Sequence, residues 1–288
     1  MGLVATIPGN LTGNISEYAR GGLTFDVTDR GDPAAPPVVL LHGFPEDRQC
    51  WDPISDRLVE AGLRTLAPDQ RGYSPRARPT GPYPQAYVLT ELVDDVVALL
   101  DAAGIDRAHI VGHDWGGGIA WTLAGAHPER VETLTVLSTP HPAAVRRAIS
   151  SAPWQFAHSS YMLFFQLPAL PERIIRRSLE RSLLAQGVPP AEAARYAGRM
   201  REPGALRGAL GWYRAMRHSR GAVHRCRVPT TFVWGQRDVF LGRQAAEGTG
   251  AMVLADYRFV EVDEGHWLPE LLPDLCAAEI VARVAGTV

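Results

Sequence analysis

Ala108-His109-Ile110-Val111-Gly112-His113-Asp114-Trp115-Gly116-Gly117-Gly118 reads as a strand that runs into a glycine-flanked turn and then a helix. The arrangement small-x-Asp-x-small is that of a nucleophile elbow: the glycines tolerate close backbone contact, and the central residue is held exposed in a strained conformation. Asp114 stands at that centre. A glycine-rich phosphate loop or an aspartate N-cap would use similar residues. Composition weakens the phosphate loop, because all 29 cationic residues are arginine. Without lysine, a Schiff-base mechanism and a phosphate-loop lysine are also excluded.

A carboxylate nucleophile decides the chemistry. It is ionised at neutral pH without help from a base, and it suits attack on an sp³ carbon that carries a strained or halide leaving group. The product is an ester on the protein, so a base must activate water and an oxyanion hole must receive the carboxyl oxygen. His266, in Asp263-Glu264-Gly265-His266-Trp267, follows the last strand-like run and can supply the base. Asp238, just past Val233-Trp234-Gly235, can accept the second imidazole proton and fix the tautomer. Asp263 and Glu264 are the alternative acids, on the same loop as the histidine. The order nucleophile, acid, histidine is the one a doubly wound sheet with such an elbow produces. His42-Gly43-Phe44-Pro45-Glu46 follows another strand, and the backbone N–H groups of Phe44 and Trp115 are the expected oxyanion donors.

Strand-like runs recur at 23–27, 38–41, 64–67, 109–111, 133–137, 230–234 and 257–262, mostly separated by helical sequence. This alternation predicts a largely parallel sheet covered by helices on both faces. The clearest helix is 88–103, with Leu92, Val93, Val96 and Leu100 on one apolar stripe and Gly104 closing it. Pro273 opens a terminal helix. From Pro140 to about Arg227 the strand signal vanishes, which predicts an all-helical insertion. The division expected is a core of 1–139 and 228–288 with a helical unit at 140–227.

The 288 residues, 46% hydrophobic and 21% charged, can bury a sizeable core, which rules out a disordered or collagen-like chain. A net charge of −2 offers no basic field, so neither nucleic acid nor an anionic membrane is expected as a partner. Cys50, Cys226 and Cys276 are odd in number and lack CxxC spacing, which argues for a reducing, cytoplasmic setting and against a disulfide or zinc framework. The first residues carry no charged-then-apolar secretory pattern. The uncharged stretch 148–171 is long enough to span a bilayer, but Pro153, Pro168, Pro171, Gln155 and Gln166 interrupt it, and it is read as helices lining something apolar.

These motifs resemble the α/β-hydrolase superfamily over essentially the whole chain, and within it the soluble epoxide hydrolases of bacterial type. The resemblance is carried by HGFPE at His42–Glu46, by Asp69-Gln70-Arg71-Gly72-Tyr73-Ser74, and by GHDWGG at Gly112–Gly117. It implies an eight-stranded, mostly parallel sheet with a helical lid after the sixth strand, where the insertion falls. It implies hydrolysis of an epoxide to a vicinal diol through an ester on Asp114. An opening epoxide leaves an alkoxide, so an acid must donate to the ring oxygen. By resemblance, Tyr161 in Tyr161-Met162-Leu163-Phe164 and Tyr213 in Gly211-Trp212-Tyr213-Arg214 match the lid tyrosines that do this.

The rival activity is a haloalkane dehalogenase, which shares the aspartate but usually shows asparagine where Phe44 stands and lacks the tyrosine pair. A non-catalytic ligand-binding member of the fold is the third reading. Aromatic residues near the tyrosines predict a lipophilic substrate, with Trp154, Phe165, Trp212 and Trp267 as expected contacts. Neither cofactor nor metal is expected. The expected partners are a small epoxide and water, and a homodimer is left open.

Overall fold

The computed structural model describes residues 13–151, 160–219 and 224–286, with the side chains of residues 151, 160 and 161 left aside. Its centre is an eight-stranded sheet: β1 Glu17–Arg20, β2 Leu23–Arg30, β3 Pro37–Leu41, β4 Arg64–Pro68, β5 Ala108–His113, β6 Val131–Leu137, β7 Thr230–Gly235 and β8 Tyr257–Val262. The spatial order is β1-β2-β4-β3-β5-β6-β7-β8. β1 pairs antiparallel with β2 and β2 with β4, and every later pairing is parallel.

β1 is absent from the strand-like runs of the sequence. Its four residues, EYAR, contribute one buried aromatic, Tyr18, which stacks on Phe25 of β2 at 4.6 Å. So short a polar edge strand has too little alternation to stand out from a loop.

The parallel strands are buried on both faces. Along β3, Val39 and Leu41 face one apolar cluster while Val38 and Leu40 face the other, as the two-residue strand period requires. The first cluster is covered by α2 (Leu89–Ala102) and α3 (Trp115–Ala126), whose apolar side chains complete it. The second is covered by α1 (Asp52–Glu60) and the terminal helix Pro273–Val284, which pack on each other. Gly104 takes φ +68° just beyond α2, the left-handed turn that ends a helix without a Cβ clash.

Among the described residues, the elements between β6 and β7 are helices: α4 Pro142–Ser151, α5 Ser160–Phe164, α6 Leu170–Ala185, α7 Pro190–Arg201 and α8 Ala205–Ala215. They are fastened to the sheet through the segment after β4. Buried Asp69 pairs with Arg48 and, at 2.7 Å, with Arg199 of α7, while Gly72 meets Gly208 of α8 so closely that a Cβ on Gly208 would lie 2.7 Å from the Gly72 carbonyl oxygen. Among the described residues no helix is long and apolar enough to cross a membrane.

The parallel register aligns strand ends. Leu41 pairs with Gly112, His113 with Leu137, and Gly235 with Val262. The loops that follow therefore open on one edge of the sheet, the usual crevice of a doubly wound fold.

Candidate active site

Asp114 occupies the single residue between β5 and α3 with φ +49° and ψ −121°, a backbone state that costs a non-glycine residue of order 1–3 kcal/mol. The neighbouring glycines make that turn possible. A Cβ on Gly112 would lie 2.3 Å from the Gly116 carbonyl oxygen, and one on Gly116 would lie 2.0 Å from the Leu41 carbonyl oxygen. The tight turn lifts the carboxylate out of the sheet edge and leaves its side chain 17% exposed.

Around Asp114 the other strand ends deliver their side chains. The Phe44 N–H donates to Asp114 Oδ1 at 2.9 Å. His266 Nε2 lies 3.5 Å from Asp114 Oδ2, and His266 Nδ1 lies 2.8 Å from Asp238 Oδ2. The other oxygen of Asp238 accepts the backbone N–H groups of Phe240 at 2.7 Å and Leu241 at 3.0 Å, which fixes the carboxylate. The ring of Phe240 packs edge-on against His266 at 5.0 Å. Asp263 and Glu264 point elsewhere: both pair with Arg237 on the surface, at 2.9 and 3.1 Å.

Burial opposes the charge on both Asp114 and His266 and is overcome by their partners. For Asp114 it would raise the pKa, but the hydrogen bond and charge of His266, then His113 and the Phe44 N–H, bring the carboxyl below its usual value. For His266 it would lower the pKa, but the Asp238 and Asp114 carboxylates hold the imidazole well above its usual value.

A cavity of about 190 Å³ opens over the carboxylate, walled by Phe44, Phe165, Leu179, Tyr213, Phe240 and Trp267 among others. Tyr213, on α8, is 4% exposed, and its ring meets Trp115 at 5.0 Å, Phe44 at 5.6 Å and Phe165 at 4.8 Å, each edge to face. Trp212 is not in the wall. Adjacent positions of a helix point in different directions, so its indole turns into the core, donates to the Arg71 carbonyl at 2.9 Å and packs on Tyr73. Tyr161 falls on α5 with its side chain outside the described part, and Trp154 lies outside the described residues. Among the described residues no cluster of three histidine, cysteine, aspartate or glutamate side chains could hold a metal.

Beneath the site lies a buried charged layer to which the sequence reading gave no role, although two of its members stand in the quoted motifs. Glu46 accepts the Gly43 N–H at 2.6 Å and lies 2.7 Å from His113 Nδ1, both side chains being fully buried. His113 Nε2 in turn lies 2.9 Å from the His266 carbonyl, which also accepts the Ser138 hydroxyl at 2.6 Å. The loop carrying His266 is thus held from below. A glutamate closing an otherwise apolar strand-loop motif was the available signal, since an unpaired carboxylate is almost never fully buried.

Nearby Glu270 is pushed up to about 8, by burial first and then by the charge of Glu46, and it accepts the Tyr196 hydroxyl at 2.6 Å. Its folded pKa exceeds the unfolded value, so between the two the native state keeps a proton that the unfolded chain has lost. Stability should fall by about 1.4 kcal/mol per pH unit across that window, with the loss complete above about pH 8. Glu270→Gln keeps an acceptor for Tyr196 and removes the slope. Thermal melts should coincide with the parent near pH 4 and lie above it at pH 8 to 9; parallel curves would count against a neutral Glu270.

Residues 36–271 match the family model described as alpha/beta hydrolase fold. The chain is 35% identical over 257 residues to the AB hydrolase superfamily protein YfhM of Bacillus subtilis, covering 86% of this chain and 89% of that protein. It is 31% identical to Epoxide hydrolase A of Mycobacterium tuberculosis, covering 92% and 95%. A solved structure described among novel epoxide hydrolases in metagenomes from hot environments superposes with a TM-score of 0.80 at 30% identity, covering 94% of this chain and 98% of that one. The protein belongs to the α/β-hydrolase family, and within it the chain is similar to proteins named epoxide hydrolases.

Proposed function

We propose that this protein hydrolyses a lipophilic epoxide to a vicinal diol, with Asp114 as nucleophile and helices α4–α8, the 140–227 unit, as a lid over the reacting groups. The observation that carries this reading is the junction of an elbow aspartate with the His266–Asp238 pair in an apolar cavity that a lid tyrosine walls. Asp114 Oδ1 is occupied by the Phe44 N–H, so Oδ2 attacks an epoxide carbon. The ring C–O bond breaks as the ester bond forms, and the departing oxygen takes a proton from Tyr213 and Tyr161. His266 then removes a proton from water, whose oxygen adds to the Asp114 carboxyl carbon. The N–H groups of Phe44 and Trp115 receive the negative charge on Oδ1. Collapse expels the second diol oxygen, which takes the proton still carried by the added water oxygen, and the proton held by His266 returns to the tyrosine phenolate, so that the carboxylate, imidazole and phenol are all restored.

In this scheme one oxygen of the carboxylate is exchanged in each cycle. Repeated turnover in H₂¹⁸O should therefore place label in the peptide that contains Asp114, whereas label confined to the diol would refute the ester route. A haloalkane assayed in the same preparation separates the rival activity, and halide release without epoxide turnover would overturn the epoxide assignment.

A further inference from the structure

The net charge of −2 is the sum of two opposed regions. Residues 140–227 hold fifteen arginines and four glutamates, a charge of +11, which leaves −13 on the rest of the chain. The structure gathers part of the positive charge around a groove of about 820 Å³ between α6, α8 and the Tyr83–Pro84 loop. Arg173, Arg176, Arg177, Arg207 and Arg217 line it and are exposed. Among the described residues none of the five forms an ion pair, although Arg207 also lies over the Tyr83 ring at 4.5 Å. The glutamate of the groove, Glu172, is already engaged with Arg214 at 2.6 and 3.0 Å, and Glu180 pairs with Arg201.

Apolar side chains crowd the same region. Among the described residues, six of the eight large hydrophobic residues that stand exposed lie between positions 163 and 216, and four of them neighbour groove residues in sequence: Leu167 and Leu170 flank Pro168 and Ala169, Ile174 follows Arg173, and Met216 precedes Arg217. Exposed arginines without an ion pair, of which Arg217 donates only to His218 at 3.1 Å, together with exposed aliphatic residues are what an interfacial surface presents to an anionic bilayer. A head-to-tail second copy would satisfy the arginines but leave the aliphatic side chains against the acidic remainder. A soluble oxyanion would leave them in water.

We propose that this face of the helical unit docks peripherally on an anionic phospholipid surface, arginines to the phosphates and aliphatic side chains into the headgroup boundary. The placement has a functional consequence. Helix α6 turns Arg173, Arg176 and Arg177 to the groove and Ile175, Ser178 and Leu179 to the catalytic cavity. Docking would set that helix, which walls the cavity, at the surface where an apolar substrate concentrates. The docking claim itself does not need the epoxide reading, because binding is measured without turnover.

The test is co-sedimentation of the full chain with phosphatidylcholine vesicles, with and without phosphatidylglycerol. Binding should require phosphatidylglycerol and weaken with salt. Each arginine near an anionic leaflet contributes about a fivefold factor, so Arg173→Gln with Arg177→Gln and Arg217→Gln should lower partitioning by roughly 10²-fold. Leu167→Ser with Ile174→Ser should lower the part that survives at high salt. Failure to bind, or unchanged binding by the arginine variant, overturns the proposal. So does displacement by inorganic phosphate beyond that by sodium chloride at equal ionic strength, which identifies a soluble oxyanion. Self-association lost in the same variant without vesicle binding identifies a second copy.

Discussion

His266→Gln is expected to stall the enzyme after one alkylation, with the protein accumulating as its ester. Asp114 loses the imidazole that does most to offset its burial, but it retains the charge of His113 and the Phe44 N–H at 2.9 Å, and an aspartate ionises far below neutral pH, so the carboxylate nucleophile is kept. The water does depend on the imidazole. Positioned general bases contribute roughly 10²–10⁴-fold, so steady-state turnover should fall by about that factor while the first alkylation continues. Intact mass after mixing with an epoxide should show the mass of the protein plus substrate. Normal turnover would place the base elsewhere.

The raised pKa of His266 gives the same step a direction in pH. Two carboxylates, Asp238 and Asp114, hold the proton on the imidazole in the resting protein. Once Asp114 is an ester its charge is gone and only Asp238 remains, so the imidazole pKa falls at the moment a base is needed. Ester hydrolysis should therefore rise with pH through the lowered value. Asp238→Asn removes the remaining charge and the tautomer lock, and should show ester accumulation of the same kind but smaller extent.

The second large effect concerns the acid. Loss of either hydroxyl in Tyr213→Phe or Tyr161→Phe should slow ester formation by roughly 10²-fold or more, and the double variant should nearly abolish it. The phenols would touch the departing oxygen and not the attacking water, so ester hydrolysis should be unchanged. Tyr213 makes the cleaner test, since its ring is packed on three sides by Phe44, Trp115 and Phe165 and removal of one oxygen leaves that packing intact. Pre-steady-state ester formation reads the effect directly. Unchanged alkylation in all three variants would remove the tyrosines from the mechanism, and a halide leaving group, which needs no proton, would then regain its case.

The division between what could be read in the chain and what could not follows the range of the interactions. Strand and helix types, the elbow at Asp114, and the order of Asp114, Asp238 and His266 were all legible, because a strand end, a glycine-flanked turn and a loop after a strand are local patterns. Parallel register then brings such loops to one edge whatever lies between them, which is how Asp238 and His266, 28 residues apart, meet at 2.8 Å. β1 escaped because four residues with a single buried side chain, Tyr18, are too few to carry a period. Trp212 and Tyr213 could not be told apart in sequence, because helical neighbours look alike there while one degree of freedom, the rotation of α8, turns Tyr213 to the cavity and the Trp212 indole to the Arg71 carbonyl.

The buried layer of Glu46, His113 and Glu270 left one local trace, the glutamate that closes the His42–Glu46 motif, but its pairing was not legible, for a buried charge is explained by its partner and the partner comes from another strand. The excess of arginine at 140–227 is a property of the sequence alone, but whether those charges cancel against glutamates or stand together is decided in three dimensions. The chain by itself determined a parallel α/β sheet with a carboxylate at its elbow, since period and turn chemistry act over a few residues. Only the tertiary structure decided which faces meet, because side-chain pairing and burial depend on segments that the sequence keeps far apart.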